Sequence, residues 1–394
     1  MKIGVVLDNE FDNDHRVQKE VRLLLENGHE VFVLCFDFGN SYKDYKKTIV
    51  SRISLPKKLK DALVILNTNF PFYEMFWAKH IKKWISQHEL DAIHAHDLYM
   101  AKPSKDAILK SKRSILLTLD LHENYPYAIN SYQWATKGIR KHIVSPKKWH
   151  KKEAKYLDLA DNIIVLSKPF QKDLQAKYPF LKETPFFTHP NMPDLESFKS
   201  FEANNFKVDF SANKPTLFYF GVVAKRRGII DLLNWITKIL AGGLLFHTLI
   251  IGPTDKADTQ EFQSLINNPI LKDNITYIPW SDVKYLPAYL KKIDIGLAPF
   301  EVNPQHDSGV ANKLYQYMYG EIPILATPCK AQKKLIEDAN CGIVYNTFED
   351  FKNALTRLIN DKYHTKELGE NGKKNLLKLY SEQADRKFLE IYKN

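Results

Sequence analysis

The sequence predicts an α/β protein made of two doubly wound parallel-sheet domains, and three observations carry that prediction. Through the first half, short apolar strands alternate with amphipathic helices, the rhythm of a parallel sheet covered on both faces. After Asn191 the texture changes: residues 192–215 are rich in Asn, Pro, Ser and charge and lack periodicity, as a linker does. A second strand and helix series then begins at Thr216. At 394 residues the chain exceeds what one core usually serves, and 44% apolar residues suffice for two.

In order, the first series places strands at 3–7, 31–35, 92–95, 115–119 and 163–166, with helices at about 14–27, at 71–88 and after Pro169. The second places strands at 216–220, 248–251, 275–278, 295–298, 324–326 and 343–345. The tail reads as helical, with Leu376, Leu379, Phe388, Leu389 and Tyr392 free to dock on a neighbour. The expected division is a first domain at 1–195, a linker at 196–214, a second domain at 215–375 and a final helix at 376–394. Ligands of open α/β sheets bind outside the carboxyl ends of the strands, so the site is expected in a cleft between the domains.

A net charge of +11 calls for an anionic partner, which nucleic acid, anionic lipid and charged small substrates would all satisfy. No nucleic-acid reading module is present, which argues against that class. Basic residues thicken at 43–60 and at 137–155, where Trp134 and Trp149 sit among Lys147, Lys148, Lys151 and Lys152. Such stretches can rest on an anionic membrane, or they are simply a solvated Lys-rich surface. There is no charged-then-apolar leader and no apolar span of membrane length, so the expected location is the cytoplasm, at the inner face of the cell membrane if the basic stretches hold it there. Cys35, Cys329 and Cys341 are odd in number and lack C-x-x-C spacing, which indicates neither disulfides nor zinc.

The stretch 308–327, SGVANKLYQYMYGEIPILAT, reads as a turn, an amphipathic helix and an apolar strand. Ser308 and Gly309 suit the cap, Val310, Leu314, Tyr317 and Met318 form one apolar stripe, and Asn312, Lys313 and Gln316 cluster on another side. The free N–H groups of the first turn, with Lys313, present a phosphate site. The strand at 216–220 ends in Gly221, and Lys225, Arg226 and Arg227 follow at a helix entrance, so a diphosphate is the natural guest. Trp280 stands at another strand end, where a base would stack or the core would absorb it.

In the first half, Asn13 or Asp14 caps the first helix, which makes Asp12-Asn13-Asp14 a capping segment rather than a metal site. Arg16 either points an anion-binding head into the cleft or is exposed. His94 and His96 alternate on a strand, so their rings share one side, and Asp97 follows. No companion ligands stand at convincing spacing, so no metal is expected, and His96 and Asp97 are expected to line the acceptor side. Asp120, His122 and Glu123 meet at a strand terminus, where an imidazole flanked by carboxylates can carry a proton or donate a hydrogen bond.

Taken together, these segments resemble the GT-B glycosyltransferases, especially the family 4 group, over nearly the whole chain. The matching pieces are DxRVxKE at 14–20 leading to GHEV, DLHENYP at 120–126, ADNIIVLS at 160–167, the HPN turn at 189–191, YFG followed by KRRG, and NKLYQYM followed by PILAT. The resemblance implies two Rossmann-like domains, a final helix crossing back to the first, and transfer of a sugar from a nucleotide sugar. It implies that Lys225 and Arg227 hold the donor diphosphate beside Gly221, with amides at Val310 to Asn312 and with Lys313. His122 would orient acceptor or donor sugar, and Asp120 or Glu123 would position it. The family's two glutamates seven residues apart are replaced by Ser308 and Gln316, and Glu321 stands where glycine is usual. Asn312 and Lys313 fit the NKLxxYM variant subgroup. No cofactor or metal is implied; the expected partners are a UDP- or GDP-sugar and a saccharide or lipid-linked acceptor. An inactive nucleotide-binding homologue and a nucleotide-sugar epimerase are the alternatives. A G-x-G-x-x-G dinucleotide fingerprint is missing, which argues against an oxidoreductase.

Overall fold

The structure is a computed structural model that describes residues 1–39, 43–45, 47–131, 143–382 and 384–393. It comprises two compact units, one of Met1–Pro190 with Gln383–Asn394 and one of Asn191–Glu382.

The first unit is built on seven parallel strands, β1 (Lys2–Val6), β2 (Glu30–Asp37), β3 (Ile49–Ser54), β4 (Ala92–His96), β5 (Leu116–Asp120), β6 (Asn162–Val165) and β7 (Phe186–Thr188). Their order is β3-β2-β1-β4-β5-β6-β7, so the connection reverses between β1 and β4, where such sheets open a crevice for ligands. Every residue of β4 and β6 is buried, as expected of central parallel strands. The edge strands β3 and β7 are half exposed and have no counterpart in the sequence reading, because they lack a continuous apolar run. Asp14 caps the helix His15–Glu26 by accepting from the Val17 N–H at 3.0 Å, and Val17, Val21 and Leu24 pack beneath it.

The second unit carries six parallel strands, β8 (Thr216–Phe220), β9 (His247–Ile251), β10 (Ile275–Ile278), β11 (Ile295–Ala298), β12 (Ile324–Ala326) and β13 (Gly342–Val344), in the order β10-β9-β8-β11-β12-β13. The reversal lies between β8 and β11. Helix Ile229–Ala241 buries Ile229, Ile230, Leu232, Leu233, Ile236, Ile239 and Leu240 against this sheet.

Two expected boundaries shift. The expected linker at 196–214 contains the helix Leu195–Ala203, which belongs to the second unit: Phe198 packs on Tyr319 at 5.3 Å and Glu202 accepts from the Tyr319 hydroxyl at 2.9 Å. The helix Lys362–Glu382 also stays with the second unit, because Leu368 and Leu376 are buried and a Cβ on Gly369 would stand 2.0 Å from the Glu321 carbonyl oxygen. Past Glu382 the helix Ala384–Glu390 joins the first unit, where Phe388, Ile391 and Tyr392 enter the core of Ile3, Val5 and Val17.

Trp149 is corrected as well. It is buried in the helix Pro146–Leu157 and its indole donates to the Thr68 hydroxyl at 3.0 Å, so it cannot rest on a membrane. Trp134 and residues 137–142 lie outside the described residues. Among the described residues, no helix is long and apolar enough to cross a membrane.

Candidate functional site

At the carboxyl ends of β4 and β5 the first unit gathers an unusual density of buried charge. Arg16, reaching in from the first turn of its helix, donates through Nη2 to both Asp120 carboxylate oxygens at 3.0 and 2.9 Å, through Nη1 to the His189 carbonyl at 3.0 Å, and pairs through Nε with Glu20 at 3.1 Å. Its side chain is 7% exposed. The expected anion-binding head is therefore committed internally, since a buried guanidinium keeps its charge only where carboxylates repay the lost water.

His94 and His96 share one side of β4, as the strand period requires, with rings 4.6 Å apart. His96 Nδ1 lies 2.8 Å from His122 Nε2, and His94 Nδ1 lies 2.8 Å from the Tyr392 hydroxyl. His189 bridges Glu20 at 2.9 Å and Asp385 at 3.4 Å, and Lys19 pairs with Asp385 at 3.1 Å. Thus RVxKE, H-x-H, D-x-H and HPN, scattered through the sequence, are one network. The sequence reading missed Lys19, Glu20, His94, His189, Asp385 and Tyr392 as its members; the signal was the recurrence of His and acid inside apolar strand and helix patterns.

The electrostatics polarise this network. Burial opposes ionisation of Asp120, but Arg16 and His122 outweigh it and hold its carboxyl well below the usual range. Burial also opposes the charged form of His122, yet the Asp120 carboxylate prevails and raises its pKa to about 9. His96 goes the other way, because burial and two neighbouring imidazoles push it well below the ordinary histidine value. His122 is 19% exposed, whereas Asp120 and His96 are sealed, so at the end of β5 it is the imidazole of His122 that meets solvent. Glu123 is half-buried beside it in the chain.

Glu20, His94, His96 and Asp120 bring donor atoms within 4.8 Å of one another, companions that the sequence spacing did not disclose. That group has the ligand types of a metal site. Both of its carboxylates also pair with Arg16.

Asp97 follows at φ 71°, a backbone conformation that costs a residue with a side chain about 1–3 kcal/mol and is usually tolerated at functional sites. Burial raises its pKa, and its carboxylate accepts from the Tyr99 hydroxyl at 3.2 Å. A further carboxyl group, Asp8, lies buried just beyond β1, where Tyr73 donates to it and Lys60 stands at 3.5 Å. Burial prevails over both and raises its pKa to about 6.

In the second unit, β8 runs into Gly221 at φ 134°, and a Cβ there would meet Lys313 Nζ at 3.5 Å. Gly228, at φ 72°, is needed more strictly, since a Cβ would fall 1.6 Å from the Pro299 carbonyl oxygen. Lys313 and Arg227 meet at Phe300, with Lys313 Nζ 5.1 Å and Arg227 Cζ 5.3 Å from its ring centre. Lys313 Nζ also sits 3.4 Å from the centre of the Tyr219 ring, 7% of the residue is exposed, and among the described residues no hydrogen-bond acceptor reaches it. Burial, reinforced by Arg227, drives its pKa well below the usual lysine value. Cation–π attraction, worth about 0.5–2 kcal/mol, opposes this, but desolvation of a sealed ammonium is the larger effect.

The other residues expected here divide. The helix begins later than expected, at Asn312–Tyr319 with Ala311 as its cap, while Ser308 closes the short helix Pro304–Asp307 and donates to the Gln305 carbonyl at 2.6 Å. Val310 precedes the helix and is half-buried, Asn312 is exposed, and Gln316 is buried with Lys313, so the polar side of this helix is not solvated. Lys225 turns to Glu261 at 2.6 Å with its side chain 55% exposed, and Trp280 is 71% exposed. Glu321 takes φ 57°, the conformation glycine would supply, and pairs with Lys373 at 2.7 Å.

Comparison with known proteins agrees with these features. Sequence models match for Glycosyltransferase Family 4 over residues 16–197 and for Glycosyl transferases group 1 over residues 200–375. No curated protein matches the sequence. Among solved structures, the chain is similar to a sucrose-phosphate synthase from Thermosynechococcus elongatus at 14% identity and a TM-score of 0.74, covering 100% of this chain and 97% of that one. It is similar to a glycosyltransferase from Rickettsia africae at 16% identity and 0.71, covering 100% and 99%. At these identities the structures attest the fold and the family models attest the kinship, so the chain belongs to the family 4-like GT-B glycosyltransferases, enzymes of glycosyl transfer.

Proposed function

We propose that the protein moves a sugar from a UDP- or GDP-sugar to a cell-surface glycan precursor or lipid-linked saccharide, with retention of configuration and without a metal. The observation that carries the reading is Lys313, a buried amine beside Arg227 and Gly221 with no acceptor among the described residues. A diphosphate at the first turn of the helix Asn312–Tyr319 satisfies that amine and meets the positive end of the helix. Lys313, Arg227 and the amides at Val310 to Asn312 then stabilise the departing nucleotide without a divalent ion. Lys225 is the weaker candidate, being held by Glu261. Gln316 is assigned to the ribose, Ser308 to the donor sugar and Trp280 to the base.

In the first unit, protonated His122 donates to a sugar oxygen, Asp120 keeps it protonated, and Glu123 and Asp97 line the acceptor side, whereas His96, expected there, is fully buried and acts only through its contact with His122. Arg16 serves as the counter-charge of Asp120 rather than as a ligand of substrate. The enzyme works in the cytoplasm at the inner membrane face. Support for that location comes from exposed Phe70 and Phe72, stacked at 5.7 Å, with exposed Met75 and with Lys148 held at Asn69.

Thermal-shift measurements with UDP, GDP and their common sugars test the donor reading, because a ligand of the folded form raises the melting temperature. A shift with one nucleotide series, followed by release of that nucleotide when an acceptor is added, is the expected result. Binding without release under any acceptor would make the inactive homologue the better reading.

A further inference from the structure

Arg16 and Lys19 are buried against carboxylates, but Lys313 is buried against two aromatic rings and a guanidinium. Among the described residues no carboxylate pairs with it. Tyr219 of β8 presents its ring, and its hydroxyl is spent on the Val222 carbonyl at 2.7 Å. Phe300 presents a ring shared with Arg227, and His306, whose ring is tilted against Phe300 at 5.1 Å, is kept neutral by burial with its pKa lowered to about 4. Asp307, the nearest acid in the chain, accepts from the Lys330 N–H at 2.7 Å. On its own helix the neighbouring polar residue is Gln316, which carries no charge.

We propose that Lys313 reads the charge of the ligand at this site, waiting in the empty protein as a neutral amine and capturing one proton as the diphosphate arrives. The inference rests on the nucleotide-sugar reading above and deepens it. A neutral amine spares the empty site the repulsion of Arg227 and the cost of a dry, unpaired charge. A diphosphate reverses both, since an anion within a few ångströms favours the ammonium and accepts its hydrogen bonds. The proton comes from solvent, its bond to the buffer acid or hydronium breaks as the nitrogen–hydrogen bond forms, and no bond of the ligand changes. An uncharged nucleoside cannot induce the capture, so the residue discriminates ligands by charge rather than by base or sugar.

Isothermal titration of the full chain with UDP and with GDP, at pH 7.5 to 9 in two buffers of different ionisation heat, reads the proton directly. In this range the terminal phosphate, whose second pKa is about 6, is already ionised. The expected result is net uptake approaching one proton per nucleotide and an affinity that falls by up to tenfold per pH unit. Uptake should vanish with uridine and in Lys313→Met. Binding without uptake in the wild-type protein overturns the proposal, and so does equal uptake by Lys313→Met, which would transfer the role to another group such as His122. If neither nucleotide binds, the donor reading fails and this proposal fails with it. The wild-type buffer comparison is decisive even should the variant not fold.

Discussion

The two units handle buried charge in opposite ways. In the first, Arg16 pairs with Asp120 and Glu20, and His122 stands against Asp120, so each buried charge has an opposite charge beside it. In the second, Lys313 is equally buried and unanswered. A paired cluster helps to hold a fold, whereas a buried amine with no acceptor leaves a hydrogen-bonding demand that a ligand can meet.

The sharpest way to break the comparison is Asp120→Ala. It leaves buried Arg16 short of a partner and should destabilise the first unit by about 3–5 kcal/mol, read as a shift of the urea unfolding midpoint. Lys313→Met, by contrast, should leave the melting temperature unchanged or raise it, because it removes a buried amine with no partner. Similar losses in both variants would erase the distinction drawn here.

Next in size is a pH effect confined to the first unit. The folded pKa of His122, about 9, lies above the ordinary value near 6.5, so its contribution is fully present below pH 6.5 and is lost as pH rises through 9. That amounts to about 3 kcal/mol and should disappear in His122→Gln, as followed by urea unfolding at pH 6, 7.5 and 9. A pH-independent wild-type stability over that range would remove the ion pair with Asp120.

In the second unit, Lys313→Met and Arg227→Ala should each weaken UDP or GDP binding by about 1.5–3 kcal/mol, since each removes a charge-assisted contact. Lys225→Ala sharpens the assignment at the small end. Its ammonium is held by Glu261 at the surface, so nucleotide affinity should change by less than about threefold. A loss matching Arg227→Ala would show that Lys225 leaves Glu261 to hold phosphate.

Much of the fold was legible because central strands of parallel sheets are continuous apolar runs: the ranges read for 216–220, 295–298 and 324–326 are those observed, and the half-buried edge strand at 275–278 was read too because three of its four residues are Ile or Tyr. The edge strands Ile49–Ser54 and Phe186–Thr188 were not, since partial burial leaves no clear period. Trp149 shows the limit of composition, as a tryptophan among lysines proved to be core.

Local order in the sequence therefore determined the strand and helix alternation, a cap at Asn13 or Asp14 and the shared side of His94 and His96. These depend on periods and dihedrals that neighbours in the chain set. Only the tertiary structure decided that Arg16 turns inward to Asp120, that Lys225 turns away to Glu261, and that Lys313 is sealed between Tyr219 and Phe300. Whether a charge is paired, exposed or stranded depends on groups tens to hundreds of residues away, and the free energy of a buried ion is set by those partners rather than by its own place in the chain.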